Sequence, residues 1–503
     1  DELKEIIGYR QADVFGESKI AVNTFYTANA YKTIFLPYLR QSLEQASADE
    51  WVLGIESESE GEQETTKSES LKQEIYSLYM ADYIYAWDDF LKKLSISKTN
   101  SFEHLGGLLD ASTGNEGAIR RVLQYVYGNT AEYSVLNRID ARPMLNRVAK
   151  SAAEKAAVNY LSTQNTPSIH PMKAVSVHFE RLNSVLKNSE NKSSAMDEID
   201  TQLQQLDEYL IEFENTESSV VFEATIKRVA GGKRDPISHL KRTSKMMPEQ
   251  VKNWVNSFAS QAWAHMIGHT RQHINSAYKN ELYASYLSNI KARYPLNRKS
   301  ANDIGLEHFS DYFKPEGEEQ RFFKEYLKPF VRTGNKRWNE RKTDGLRLGL
   351  TRSYLSQLHR AQTIRDVMFK NQEIYAELQF QPIYLDANVS RFDLDLMGER
   401  LNYRHGPQKI SKVSWPASLN NTDISMRFED YNGNLTTEAL TGEWSLFKLI
   451  DLYGKETMPG GRRYRMSFEV NGQRAVYDVS GRSLSPDLLS ILSKYKMPLK
   501  PLG

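Results

Sequence analysis

The stretch Tyr294–Val331, YPLNRKSANDIGLEHFSDYFKPEGEEQRFFKEYLKPFV, divides two kinds of sequence. Upstream of it, apolar residues recur at helical spacing for nearly the whole chain. Soon after it, the pattern turns to short alternating runs punctuated by Gly, Asn and Pro. Within it, Asp303 is placed to N-cap a short helix through Leu306, Phe309 and Tyr312. Pro315 and Gly317 then break the chain, and a second helix presents Phe322, Phe323, Tyr326, Leu327 and Phe330. So many aromatics on two short helices need several neighbours to bury them, so this stretch reads as a packed junction between a helical body and a β-rich end.

The bulk numbers narrow the field. A chain of 503 residues exceeds one hydrophobic core, and 40% hydrophobic with 26% charged residues is ordinary for a globular protein. Lys plus Arg is 65 and Asp plus Glu is 64, so no global field draws the chain to nucleic acid or an anionic membrane. The absence of cysteine excludes disulfides, thiolate metal sites and a Cys nucleophile, and it suits an oxidising compartment. No apolar run reaches a membrane-spanning length, and a start at Asp1 with no leader pattern fits a piece of a longer protein.

Upstream, Val22 to Ala46 reads as an aromatic-rich helix entered through Thr27 or Asn29 and kinked or divided at Pro37. The acidic run ESESEGEQETTKSES reads as a solvated loop. Leu71, Ile75, Tyr79, Tyr83, Trp87 and Leu91 fall four apart, with Leu78 and Phe90 widening the stripe. Further helices fit Phe102 to Asp110, Ala118 to Tyr127, Met144 to Leu161, Val175 to Leu186 and Met196 to Phe213. Val220 to Val229 fits a short one, and Pro248 to Ala292 fits two long ones. Residues 162–172 read as a break. Trp338 to Phe369 is weakly amphipathic, with Leu355, Leu358 and Ile364 as core candidates. From Glu373 the period is two. The runs 377–380, 392–396, 410–415 and 424–428 read as strands, and RYRMSFEV–NG–QRAVYDV as a hairpin turning at Asn471-Gly472. One helix, GEWSLFKLID, interrupts them. The expected class is α+β multidomain, an elongated and mostly α-helical body followed by a C-terminal antiparallel β-sandwich of seven or eight strands. The expected domains are 1–215, 216–372 and 373–503.

Candidate chemistry is sparse. His265, His269 and His273 line one helix face, but no carboxylate follows the HExxH pattern, so packing against Trp254, Trp263 and Tyr278 is the better reading than zinc. Gly231-Gly232-Lys233-Arg234 lacks the spacing of a phosphate loop and reads as a turn. NKRWNERK, residues 335–342, mixes cations with Trp338. On a neutral chain it reads as a solvated helix face rather than a nucleic-acid patch. No nucleophile elbow or other catalytic constellation is present, no cofactor site is indicated, and no enzyme activity is expected. The loops and edges of the sandwich remain as places to capture a partner, with Asn420, Asn421, Asn432, Arg462, Arg463 and Asn471 as the candidate contacts.

Several segments, in order, carry a resemblance. FYTANAYKTIFLPYLRQSLEQASADEWVLG, LKQEIYSLYMADYIYAWDDFLKKL, VSVHFERLNSVL, the junction stretch, SWPASL, GEWSLFKLID and FEVNGQRAVYDV together resemble the periplasmic part of the TssM (IcmF-related) family. These are inner-membrane proteins of bacterial type VI secretion systems. The chain departs from the family in ending KYKMPLKPLG, without the Cys-containing segment common there. The family's membrane helices and nucleotide-binding-like domain have no counterpart in it. The resemblance implies a scaffold that spans the periplasm, anchored in the inner membrane by segments outside this sequence. It implies docking of the outer-membrane lipoprotein TssJ through the C-terminal region, association with TssL through the membrane part, and a ring of further copies of the same protein. The competing readings are a zinc hydrolase built on the three histidines and a cytoplasmic helical adaptor.

Overall fold

The computed structural model describes residues 2–16, 20–52, 62–131, 171–188, 193–231, 234–417, 421–457, 463–481 and 486–503. The chain divides into two compact units, Asp1–Met266 and Ile267–Gly503. The first, among its described residues, is helical, and the second carries short helices and all the named strands.

In the first unit the Thr27 hydroxyl accepts from Ala30 N and starts a helical run, as expected. Pro37 does not end it. A π stretch, Tyr31–Phe35, precedes Leu36–Val52, where Pro37 lies in the first turn. The helix expected to begin at Leu71 begins at Glu62, so the residues read as loop from there onward are helical; 53–61 lie outside the described residues. Its buried face is Tyr76, Tyr79, Met80, Tyr83, Trp87, Phe90 and Leu91, whereas Leu71 and Leu78 are exposed. The buried polar tips find backbone partners: Tyr79 Oη donates to Phe25 O, Tyr83 Oη to Asn129 O and Trp87 Nε1 to Tyr26 O, at 2.7–2.8 Å. Bonds of this kind satisfy the polar ends of buried aromatics and fix which residues face each other. The helices Phe102–Ser112, Ala118–Thr130, Met172–Asn183, Ala195–Ile211 and Ser218–Val229 fall where the periodicity places them. The helix expected over Met144 to Leu161 and most of the expected break at 162–172 lie outside the described residues. Glu249–Ala277, whose residues from Ile267 on are counted in the second unit, continues through two π stretches to Ile290, so the two helices expected there form one run.

In the second unit the junction stretch is helical at Leu306–Phe313 and from Glu318 to Phe330, the latter passing through π and 3₁₀ turns. Asp303 is not the N-cap. Gly305 holds that position and offers no side chain, and the Leu306 N–H donates instead to Glu443 Oε2 at 2.9 Å. Asp303 pairs with Lys448, 2.8 Å away. Both partners of this helix start lie in the β-rich end, where local spacing cannot point to them.

The segment read as a solvated helix face is a short hairpin, β1 (Val331–Arg332) with β2 (Asn339–Glu340), and the helix behind it runs only over Arg352–Met368. Trp338 is buried there against Phe323 and His359. A second ministrand pair, β3 (Phe369–Lys370) with β4 (Glu373–Ile374), leads into the sandwich. Its strands are β5 (Ala376–Leu385), β6 (Val389–Leu396), β7 (Glu399–Tyr403), β8 (Ser411–Trp415), β9 (Ile424–Asp430), β10 (Leu435–Leu440), β11 (Gly454–Thr457), β12 (Arg463–Val470) and β13 (Gln473–Gly481). They form two antiparallel sheets, ordered β11-β12-β13-β5-β8 and β10-β9-β6-β7. Among the described residues there are nine strands rather than seven or eight, because β7 and β11 are short and β10 is largely exposed. Between the sheets lie Phe392, Phe428, Phe468 and Tyr477, with Phe392 and Phe428 ring centroids 4.5 Å apart. The hairpin keeps the expected register, Tyr464↔Val479, Met466↔Tyr477 and Phe468↔Ala475. Its turn residues Asn471 and Gly472 have φ of 46° and 79°, as a type I′ turn requires.

Candidate docking surface

Strand direction fixes what lies at each end of the sandwich. The pairings Leu385↔Ala475 and Val389↔Asp430 bring the 386–388 link, the 431–434 turn and the 471–472 turn to one end. The pairings Leu396↔Ile424 and Arg463↔Ser480 put the 397–398 turn, residues 421–423 and the start of β12 at the other. That second end is pinned to the junction helix. Trp444 is fully buried there, donating through Nε1 to Ile304 O at 2.5 Å. Its ring meets those of Phe309 at 5.0 Å, Trp415 at 5.3 Å and Phe447 at 4.7 Å. The Glu443–Leu306 and Lys448–Asp303 bonds belong to the same knot.

The expected contact residues therefore separate. Asn432 and Asn471 are exposed turn residues at the end away from the junction helix. Asn421 and Arg463 are exposed at the pinned end, so the structure does not gather the four into one patch. Asn420 and Arg462 lie outside the described residues.

The end away from the junction is stiffened by its own bonds. Asp430 accepts from the backbone of Asn432 and Asn434 and from the Asn434 side chain, each at 2.8 Å. These bonds, the Asn434 side chain first, hold the Asp430 carboxyl below its ordinary range. Asp386 accepts from Arg474 N and from Tyr384 Oη, both at 2.8 Å, and that carboxylate pushes the Tyr384 hydroxyl up. The Arg474 guanidinium lies 6.0 Å from the centre of the Tyr384 ring. Tyr384 and Tyr431 are 48% and 70% exposed on these fixed supports, so this end presents two large rings to solvent at little further cost in order. Sequence reasoning picked the Asn residues of these turns and missed both tyrosines. The signal available was a tyrosine inside a turn signature, DYNGN.

The three helix histidines do not form a site. His265 Nε2 lies 2.8 Å from Thr99 Oγ1 and its ring packs edge-on to Phe102, while the His273 ring lies against Tyr326. Among the described residues, no group of three His, Asp or Glu comes together as a metal would need. Gly231 ends a turn, and Gly232 and Lys233 lie outside the described residues. No helix of the described residues is long and apolar enough to cross a membrane.

Three family descriptions match successive parts of the chain. Residues 2–131 match "IcmF-related: Intracellular multiplication and human macrophage-killing". Residues 269–374 match the type VI secretion protein IcmF helical domain, and 378–483 the type VI secretion protein IcmF C2-like domain. The chain is 24% identical over 491 residues to the type VI secretion system component TssM1 of Pseudomonas aeruginosa, covering 94% of this chain and 43% of that protein. It thus spans less than half the length of that relative. A solved type VI secretion system membrane core complex contains a chain of the same fold. The TM-score is 0.70 at 16% identity, over all of this chain and 95% of that one. A type VI membrane complex gives a TM-score of 0.61 at 16% identity, over 86% of this chain and 80% of the other.

Proposed function

We propose a structural rather than catalytic role, from the premise that this chain belongs to the IcmF-related family of type VI secretion proteins. It serves as a periplasmic scaffold segment of the secretion membrane complex. The rest of its protein anchors it in the inner membrane, where it meets TssL and further copies of itself. Its C-terminal sandwich docks the outer-membrane lipoprotein TssJ. The observation that carries this reading is the likeness to TssM1 along 94% of the chain. The solved membrane complexes support it at the level of fold. The sandwich suits docking physically, since one end is pinned by Trp444 and the other offers exposed rings on stiff turns, and aromatic anchors dominate many interfaces. We assign the contact to that free end, with Asn432 and Asn471 beside Tyr384 and Tyr431. Asn421 and Arg463 form a second set at the opposite end.

Size-exclusion chromatography of the chain mixed with soluble TssJ tests this. Co-elution is expected, and Tyr431→Ala with Asn432→Arg abolishes it while leaving the far-ultraviolet spectrum unchanged. Two separate peaks for the unmodified proteins at tens of micromolar would refute docking. Co-elution that survives the double variant would move the contact to the other end.

A further inference from the structure

Two of the cations read as a solvated helix face, Lys336 and Arg337, line a concavity instead. Residues 328–360 contain nine Lys and Arg against two carboxylates, Glu340 and Asp344, in a chain whose net charge is only +1. Glu340 is turned inward, its Oε1 accepting from the backbone of Gly349 and Leu350. The hairpin supplies Lys336 and Arg337 to one wall of a pocket of about 440 Å³. The helix Arg352–Met368 supplies Arg352, His359 and Arg360 to the other, residues spaced to fall on one helix face. Trp338 and Leu355 are the apolar part of the lining, and no carboxylate is in it. His359 is positioned by Asn335 O at 3.1 Å and Arg360 by Lys494 O at 3.2 Å. Among the described residues, Lys336, Arg337 and Arg352 form no ion pair with a carboxylate.

Like charges gathered in a cleft raise its potential and repel one another until an anion enters. Elsewhere on this chain cations do lie beside an acid, as Lys314 does with Asp311 and Arg391 with Glu429. Guanidinium forks match the oxygens of phosphate in pairs, which a single ammonium cannot do. The volume exceeds that of a bare phosphate, and the indole and leucine surface suits the carbon skeleton carrying it. We propose that this pocket binds a phosphate ester carried on a sugar or glycerol, as in a soluble sugar phosphate or a phospholipid headgroup. Arg337 and Arg352 grip the phosphate oxygens, and Trp338 packs the skeleton. The site lies outside the sandwich and does not depend on the docking reading.

The test uses the whole chain with glycerol 3-phosphate in calorimetry, and flotation with vesicles of phosphatidylglycerol or of phosphatidylcholine alone. Arg337→Glu with Arg352→Glu is the variant. Both side chains are exposed, so its helical circular dichroism and melting temperature should match the parent. The expected result is binding of glycerol phosphate or of the phosphatidylglycerol vesicles, weakened at least about tenfold by the variant and by raised salt. Binding of both probes assigns a soluble ester or a headgroup alike, and binding of vesicles alone assigns a lipid. No binding of either, equal binding by parent and variant, or binding only of a single-stranded oligonucleotide overturns the proposal.

Discussion

Replacing Trp444 by Ala removes the ring that ties the sandwich to the junction helix, and its cost follows from what it touches. The side chain is fully buried, and three other rings surround it at 4.7–5.3 Å. A buried Trp→Ala change costs about 3–5 kcal/mol, and the Ile304 carbonyl loses its indole donor for about 1 kcal/mol more. The sum, about 4–6 kcal/mol, is a large share of the roughly 5–15 kcal/mol that holds a domain together. For a unit the size of Ile267–Gly503 this lowers the midpoint of thermal unfolding by about 8–24 °C. Trp444→Phe keeps most of the ring contact and loses the hydrogen bond, so it costs about 1–2 kcal/mol. The assay is thermal unfolding of the whole chain by near-ultraviolet circular dichroism, paired with hydrogen exchange at the amides of Leu306–Phe313. The Ala variant should lose protection in that helix as well as in the sandwich. A midpoint within about 2 °C of the parent would refute the burial argument. Full protection at Leu306–Phe313 beside a destabilised sandwich would refute the tie.

Other outcomes follow from the same geometry. Arg365, buried with Glu319, also donates to Phe313 O at 3.0 Å, so Arg365→Ala strands a buried carboxylate and costs about 3–5 kcal/mol by urea titration. Asp197 closes a capping box with Ser194 and meets Arg120, and hydrogen bonding from Ser194, then from Arg120, holds its carboxyl below the ordinary 3.8. A lowered carboxyl stabilises the fold when ionised, so its contribution is present above pH 3.8 and is lost as pH falls through the depressed value. Asp197→Asn should therefore cost about 1 kcal/mol at pH 7, with the gap closing in acid. A fragment 373–503, the third domain as the sequence divides it, lacks Ile304 and Phe309. It should melt well below a fragment 294–503 in the same calorimetric scan, and equal melting temperatures would favour the shorter boundary.

How much was legible depended on how far apart the deciding residues stand in the chain. The Asn471-Gly472 turn and the alternation of its flanks are local, and the hairpin came out in the expected register. Thr27 as a helix start is local too. The start of Leu306–Phe313 was misread because its cap, Glu443, is a tertiary partner, and a nearby Asp imitated the local signal. The polar run from Glu62 looked like loop because it has no apolar stripe, yet it continues a helix anchored further on by Tyr76 to Leu91. The cations around Trp338 carry no period that reveals a hairpin, and only the fold brings them opposite Arg352 and His359. At the candidate docking end, the turn asparagines were visible as turn formers. The exposure of Tyr384 and Tyr431 was not, since alternation tells which face a residue takes but not what covers that face.

The bond between the Leu306 amide and Glu443 spans 137 positions of chain. At a synthesis rate of about 5–20 residues per second, roughly 7–27 seconds pass between making the helix and making its cap. Throughout that interval Phe309, Tyr312 and Phe313 have neither Trp444 nor Tyr495 to cover them. Until its last sixty residues arrive, the nascent chain therefore carries an aromatic segment with part of its cover missing.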